Sequence, residues 1–155
     1  PVPITLQLFF SMLAGIILGS RLGLYSQLVF LAAGLIGFPV FAKGGGPSYI
    51  FEPSFGYVIG FVVCAYVCGK VKEKIGQDSF LKLFGACIAG LISNYLLGII
   101  YLYFIMNFYL SQATPFYPLL WTGGAVFFPK DAILSAFAAI IALKLLPILN
   151  KNNLI

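Results

Sequence analysis

The sequence predicts an all-α integral membrane protein, a bundle of transmembrane helices, and three observations carry that prediction. Of 155 residues, 61% are hydrophobic and only 8% charged, whereas soluble domains carry about a quarter charged residues. The few charges leave long uncharged stretches, and the one from Leu83 to Pro129 is more than twice the roughly 20 residues that one transmembrane helix needs. Nowhere does the chain show the alternating segments of about ten residues that a transmembrane β-barrel requires.

Five spans follow in order, each bounded by charge, Pro or Gly. The first, residues 4–19, ends before Arg21, and the second, residues 24–42, ends before Lys43 and the glycines of AKGGGPSYIFEPSFGY. Ser11, Gly15, Gly19 and Gly23 recur every fourth position. Such a smooth stripe suits close helix packing, either inside the bundle or against a separate subunit. The third span, residues 54–69, is short at about 25 Å, so it either crosses a thinned region or recruits flanking Tyr49 and Phe51. Residues 83–106 form the fourth span, with Asn94 its only amide or charged side chain at depth; such an amide reads first as a helix-to-helix hydrogen bond. The fifth, residues 130–148, starts at Pro129 and Asp131, which are helix-entry residues. Together they make one domain over residues 1–155.

Orientation comes from the basic segment KVKEKIGQDSFLK, which holds Lys70, Lys72, Lys74 and Lys82 and belongs in the cytoplasm by the positive-inside rule. Alternating outward places the Arg21 turn and Lys151 inside as well, with residues 43–53 and 107–129 outside as loops. The amino terminus then starts outside, and a protein with both ends cytoplasmic would need one more helix before Pro1. The opening PVPITLQ has neither an initiator Met nor the basic start of a signal peptide, and reads as a fragment or a processed chain.

Composition also excludes function classes. There is no histidine, which removes the common imidazole metal sites and triads. Cys64, Cys68 and Cys87 lie in apolar stretches and read as small buried hydrophobes. The net charge of +5 is explained by membrane topology without a nucleic-acid partner. GGGPSY lacks the adjacent Lys-Ser/Thr pair of a phosphate-binding loop. An aspartyl protease needs two carboxylates at membrane depth, but Asp131 stands alone, so neither a catalytic residue nor a metal is expected. The outer side instead gathers Lys43, Glu52, Lys130 and Asp131 beside glycine and aromatic residues, as a ligand site or as a solvated rim.

Five segments, PVPITLQ with GSRLGLYSQL, GLIGFPVFAKGGG, PSYIFEPSFGYVIGF and FFPKD, resemble in order and spacing the BioY family, biotin-specific substrate-capture subunits of energy-coupling-factor (ECF) transporters. The resemblance covers nearly the whole chain. It implies a six-helix bundle of which the first helix is missing here, and a multi-pass protein of the bacterial cell membrane. It also implies a non-enzymatic role: biotin capture at the outer face, then passage across by docking onto a transmembrane coupling subunit driven by ATPase subunits. Biotin enters as transported ligand, with no cofactor.

On this chain, Gly44, Gly45, Tyr49, Ser54, Gly56 and Tyr57 match the family's glycine-loop motif, and Asp131 matches the acidic residue of its last motif. The family's Lys three residues after that Asp is absent; Leu134 stands there, and Lys130 precedes Asp131. Glu52 occupies a position where Gly or a polar amide is common. The family places its ligand among the segment before Leu6, residues 43–56 and residues 107–131. A pocket for biotin would pair Asp131 or Glu52 with the ureido donors, cover the rings with Tyr49, Phe55 or Trp121, and set Lys130 or Lys43 on the carboxylate. The stripe at Ser11, Gly15 and Gly19 would serve contact with the coupling subunit. A capture subunit for another vitamin, and a lipid-acting enzyme using Asp131 and Lys130, are the competing readings.

Overall fold

The computed structural model describes residues 5–152 and residue 154; the start of the first predicted span, residue 4, and the PVPI part of the first motif lie outside them. The described chain is helical: α1 (Gln7–Ile36), a 3-10 turn (Pro47–Phe51), α2 (Phe55–Ile75), α3 (Phe80–Phe104) continued by a wide π turn (Ile105–Tyr109), α4 (Phe116–Leu120), a second π turn (Trp121–Ala125) and α5 (Phe128–Lys151). Four apolar stretches are long enough to cross a bilayer. The first is two helices in one, so five long helical segments stand among the described residues, and the six-helix count implied by the resemblance is not met there.

The break falls at Gly19, with φ 85° and ψ 176°, a left-handed φ that favours glycine because a Cβ would clash. Ser11 Oγ donates to Gln27 Oε1 at 2.8 Å. Sixteen residues of straight helix would separate these two by about 24 Å, so residues 7–18 and 20–36 run antiparallel as a hairpin. Both broken ends are capped from α2 by adjacent side chains. Lys72 Nζ donates to Ile16 O at 2.8 Å, at the carbonyl end of the first half. Glu73 Oε1 accepts from Ser20 N at 2.8 Å and from Ser20 Oγ at 2.7 Å, at the amide end of the second. Cation on carbonyls and anion on amides each oppose the local helix dipole. Glu73→Ala is expected to lower stability by about 1 kcal/mol, read as a fall of about 2–4 °C in melting temperature in detergent.

α2 therefore does not stop at residue 69. Lys and Glu are good helix formers, Lys72 and Glu73 find partners on α1, and the helix runs to Gly76, whose φ of 94° ends it. Its 21 residues span about 31 Å, which removes the need for a thinned bilayer. α2 packs against both α1 and α3, and α5 closes the bundle against α3 and α1. The core runs through Met12, Ile16, Phe61, Cys64, Cys68, Leu83, Cys87, Leu91 and Leu146, with all three cysteines buried and free.

The small-residue stripe is used inside the chain. Ser11 is fully buried and also donates to Phe61 O. A Cβ on Gly15 would strike the Ala65 carbonyl, and one on Gly23 would strike the Gly15 backbone. Ser11 and Gly15 are thus spent on internal packing, which corrects the expectation of a subunit contact at these two residues, while the half-buried Gly19 makes the break.

Residues 107–129, expected as a loop, are also mostly helical. An uncharged aromatic run has nothing to halt helical hydrogen bonding except Pro115 and Pro118, and the helical path is interrupted by a short irregular link at residues 111–115 that opens with Ser111 at φ 53°. There Asn107 closes the turn, its Nδ2 donating to Thr114 O at 3.1 Å and its Oδ1 accepting from Thr114 N at 3.0 Å. Outward faces are apolar: Ile92, Leu96, Ile100 and Phe104 make one exposed ridge on α3, and Ile133, Phe137 and Ile140 another on α5. Continuous exposed ridges of this kind suit hydrocarbon rather than water.

Candidate functional site

At the end of the bundle remote from the basic turn, the starts of α1, α2 and α5 and the middle of α3 surround a cleft with about 520 Å³ of free space, its open mouth included. The sequence builds it because α2 and α5 both begin at this level, so the polar residues that start those helices face inward together.

Ser54 occupies the N-cap position of α2 but makes no capping bond. Its Oγ, the Oδ1 of Asn94 and the Oδ1 of Asp131 are buried without a hydrogen-bond partner, and all three residues line the cleft. Buried polar atoms without partners are rare in folded proteins, and three around one cleft point to a polar occupant. Asp131, in the first turn of α5, is 3% exposed. Its Oδ2 accepts from the Tyr95 hydroxyl, and Lys130 Nζ stands 2.8 Å from its Oδ1 without the alignment of a hydrogen bond. Lys130 also donates to Thr5 O at 3.3 Å, while the Gln7 amide donates to Val40 O at 2.9 Å.

Aromatic and apolar walls complete the cleft. Tyr49, carried inward by the 3-10 turn, is buried against Phe41 and Phe55. Tyr57 Oη donates to Gly123 O at 2.7 Å, which ties α2 to the second π turn. Phe61 and Phe127 supply further apolar surface.

Of the residues expected at a site, Tyr49, Ser54, Tyr57, Lys130 and Asp131 line this cleft, and Lys43, Gly44, Gly45, Glu52, Phe55 and Trp121 do not. Lys43 and Glu52 pair with each other at 2.8 Å on the exposed loop, and the hydrogen bond to Glu52 holds the Lys43 ammonium above its usual pKa. Gly44 closes a tight turn with Phe41, bonded in both directions at 2.9 and 3.0 Å, and Gly45 lies against the backbone of Gly34 and Phe38. Phe55 is buried between Tyr49 and Tyr101. Trp121 is 63% exposed, because the side of its turn that meets the bundle carries the buried Gly123 and Gly124.

Asn94 and Tyr95 were not among the expected site residues. Asn94 was legible as a lone amide in an apolar span, and its unpartnered oxygen corrects the reading as a helix-to-helix bond. Tyr95 gave no signal in a chain with nine tyrosines.

Comparison with known proteins places this architecture. The family model described as the BioY family matches residues 1–151. A probable biotin transporter BioY of Lysinibacillus sphaericus is 38% identical over 144 residues, covering 93% of this chain and 74% of that protein. The biotin transporter BioY of Thermotoga maritima is 35% identical over 151 residues, with 94% and 81% covered. A solved structure, the S-component for biotin from an ECF-type ABC transporter, superposes with a TM-score of 0.82 at 31% identity, covering 94% of this chain and 76% of that one.

Proposed function

This chain belongs to the BioY family, and from that premise we propose that it is the biotin-capturing membrane subunit of an ECF-type uptake transporter. It is a multi-pass membrane protein and a transporter component rather than an enzyme. The observation that carries the ligand assignment is the set of three unpartnered buried atoms, Ser54 Oγ, Asn94 Oδ1 and Asp131 Oδ1, on one aromatic-walled cleft. Biotin's ureido group offers two N–H donors and one carbonyl acceptor. The Asp131 and Asn94 oxygens accept the donors, and the Ser54 hydroxyl donates to the carbonyl. Tyr49, Tyr57, Phe61 and Phe127 cover the fused rings and the apolar chain. The half-exposed ammonium of Lys130 meets the carboxylate, a role for which Lys43, exposed and outside the cleft lining, is less suited.

Direction follows from charge. Arg21, Lys70, Lys72, Lys74, Lys82, Lys144 and Lys151 lie toward the end opposite the cleft, leaving Lys43 and Lys130 at the cleft end. The positive-inside rule then turns the cleft outward, where it meets biotin before the cell does. For import we infer a transmembrane coupling subunit and ATPase subunits, because the solved S-component that this chain resembles belongs to an ECF-type ABC transporter. Calorimetry of the purified, ligand-stripped chain is expected to show one biotin bound per chain, with other vitamins failing to compete. Heat released by another vitamin and none by biotin would overturn the assignment.

A further inference from the structure

We infer that Tyr95 is a positioning residue that sets the ligand preference of the site: it holds one oxygen of Asp131 so that the other is presented to the ligand as a fixed acceptor. The inference rests on the biotin reading of the cleft. Asp131 Oδ2 accepts the Tyr95 hydroxyl, while Oδ1, on the cleft side, makes no hydrogen bond and has the Lys130 ammonium beside it at 2.8 Å as an ion-pair neighbour. The Asp131 backbone is fixed as well, its N–H donating to Phe127 O at 3.1 Å and its carbonyl accepting from Ser135 Oγ at 2.7 Å.

The remaining freedom of the acid is rotation of its carboxylate, a broad, roughly two-fold torsion. Tyr95 removes it. α3 thereby contributes two consecutive residues with divided tasks, Asn94 facing the ligand and Tyr95 facing the acid. A carboxylate has no donor to offer, so a fixed Oδ1 rewards a ligand N–H and penalises a ligand that leaves it unpaired, as buried unpaired acceptors do generally. Ordering the acceptor before binding also spares the complex the entropy of ordering it afterwards.

The test compares biotin with a biotin analogue methylated at its ureido nitrogens, by equilibrium dialysis on the full chain. Wild type is expected to prefer biotin by more than tenfold. Tyr95→Phe, which removes the hydroxyl alone, is expected to weaken biotin binding about tenfold and to narrow the preference, because the freed carboxylate swings away from the methyl groups. In the Asp131→Asn background, the same change is expected to alter biotin binding less than about twofold. Equal losses for both ligands, an equal loss in both backgrounds, or a wild type indifferent to methylation would each overturn the role of Tyr95. A wild type that binds no biotin would overturn the underlying reading instead.

Discussion

Replacing Asp131 by alanine is expected to weaken biotin binding at least about hundredfold, measured by calorimetry on protein whose melting temperature is checked in parallel. The change removes the fixed acceptor, and a hydrogen bond to a charged group contributes about 1.5–3 kcal/mol. It also leaves the Tyr95 hydroxyl and the Lys130 ammonium without their partner. Of these the half-buried Tyr95 hydroxyl adds the penalty of an orphaned polar group to the lost contact, whereas the half-exposed Lys130 ammonium is met by solvent. Affinity equal to wild type would remove Asp131 from the site and, with it, the ureido assignment.

The second large effect is on the fold. Gly15→Leu places a branched side chain where even a Cβ overlaps the Ala65 carbonyl on α2. Backbone cannot yield as a flexible side chain does, so the hairpin has to move off α2, which opens the seam sealed by Ser11, Met12 and Ile16. Overpacking of this kind costs about 3 kcal/mol, and a fall in melting temperature of roughly 6–12 °C is expected. An unchanged melting temperature would show that α1 and α2 do not cross at Gly15.

Membrane embedding, the helical class and the approximate spans were legible in the sequence because they depend on the sum of hydrophobicity and on where charge falls. Details decided by single partners were not. The end of α2 was placed at residue 69 because a lysine follows, yet Lys72 and Glu73 are drawn into the helix by the exposed backbone of the Gly19 break, which hydropathy does not register. Charge alternation makes residues 107–129 a loop, yet residues 116–125 are helical, because Pro115 precedes the first helical residue and the glycines face the bundle.

The site was legible to the extent that motif residues and helix-entry positions coincide. Ser54, Tyr57 and Asp131 match the family motifs, and all three stand at or beside helix starts, where side chains converge. Aromatics chosen by type alone divided: Tyr49 lines the cleft, Phe55 is buried beside it and Trp121 is turned outward. Asn94 and Tyr95 sit in mid-helix, and their part depends on how α3 is rotated against α2 and α5, which is a property of the assembled bundle.

The first half of α1, residues 7–18, is about 18 Å long, against a hydrocarbon layer of about 30 Å. It runs in register with α2, Ser11 against Phe61 O and Gly15 against the Ala65 carbonyl, so Gln7, where it borders the cleft, stands level with the first turn of α2. Because mid-α3 supplies the floor through Asn94 and Tyr95 while the other helices only begin there, anything seated in the cleft sits below the rim of the bundle, not on it.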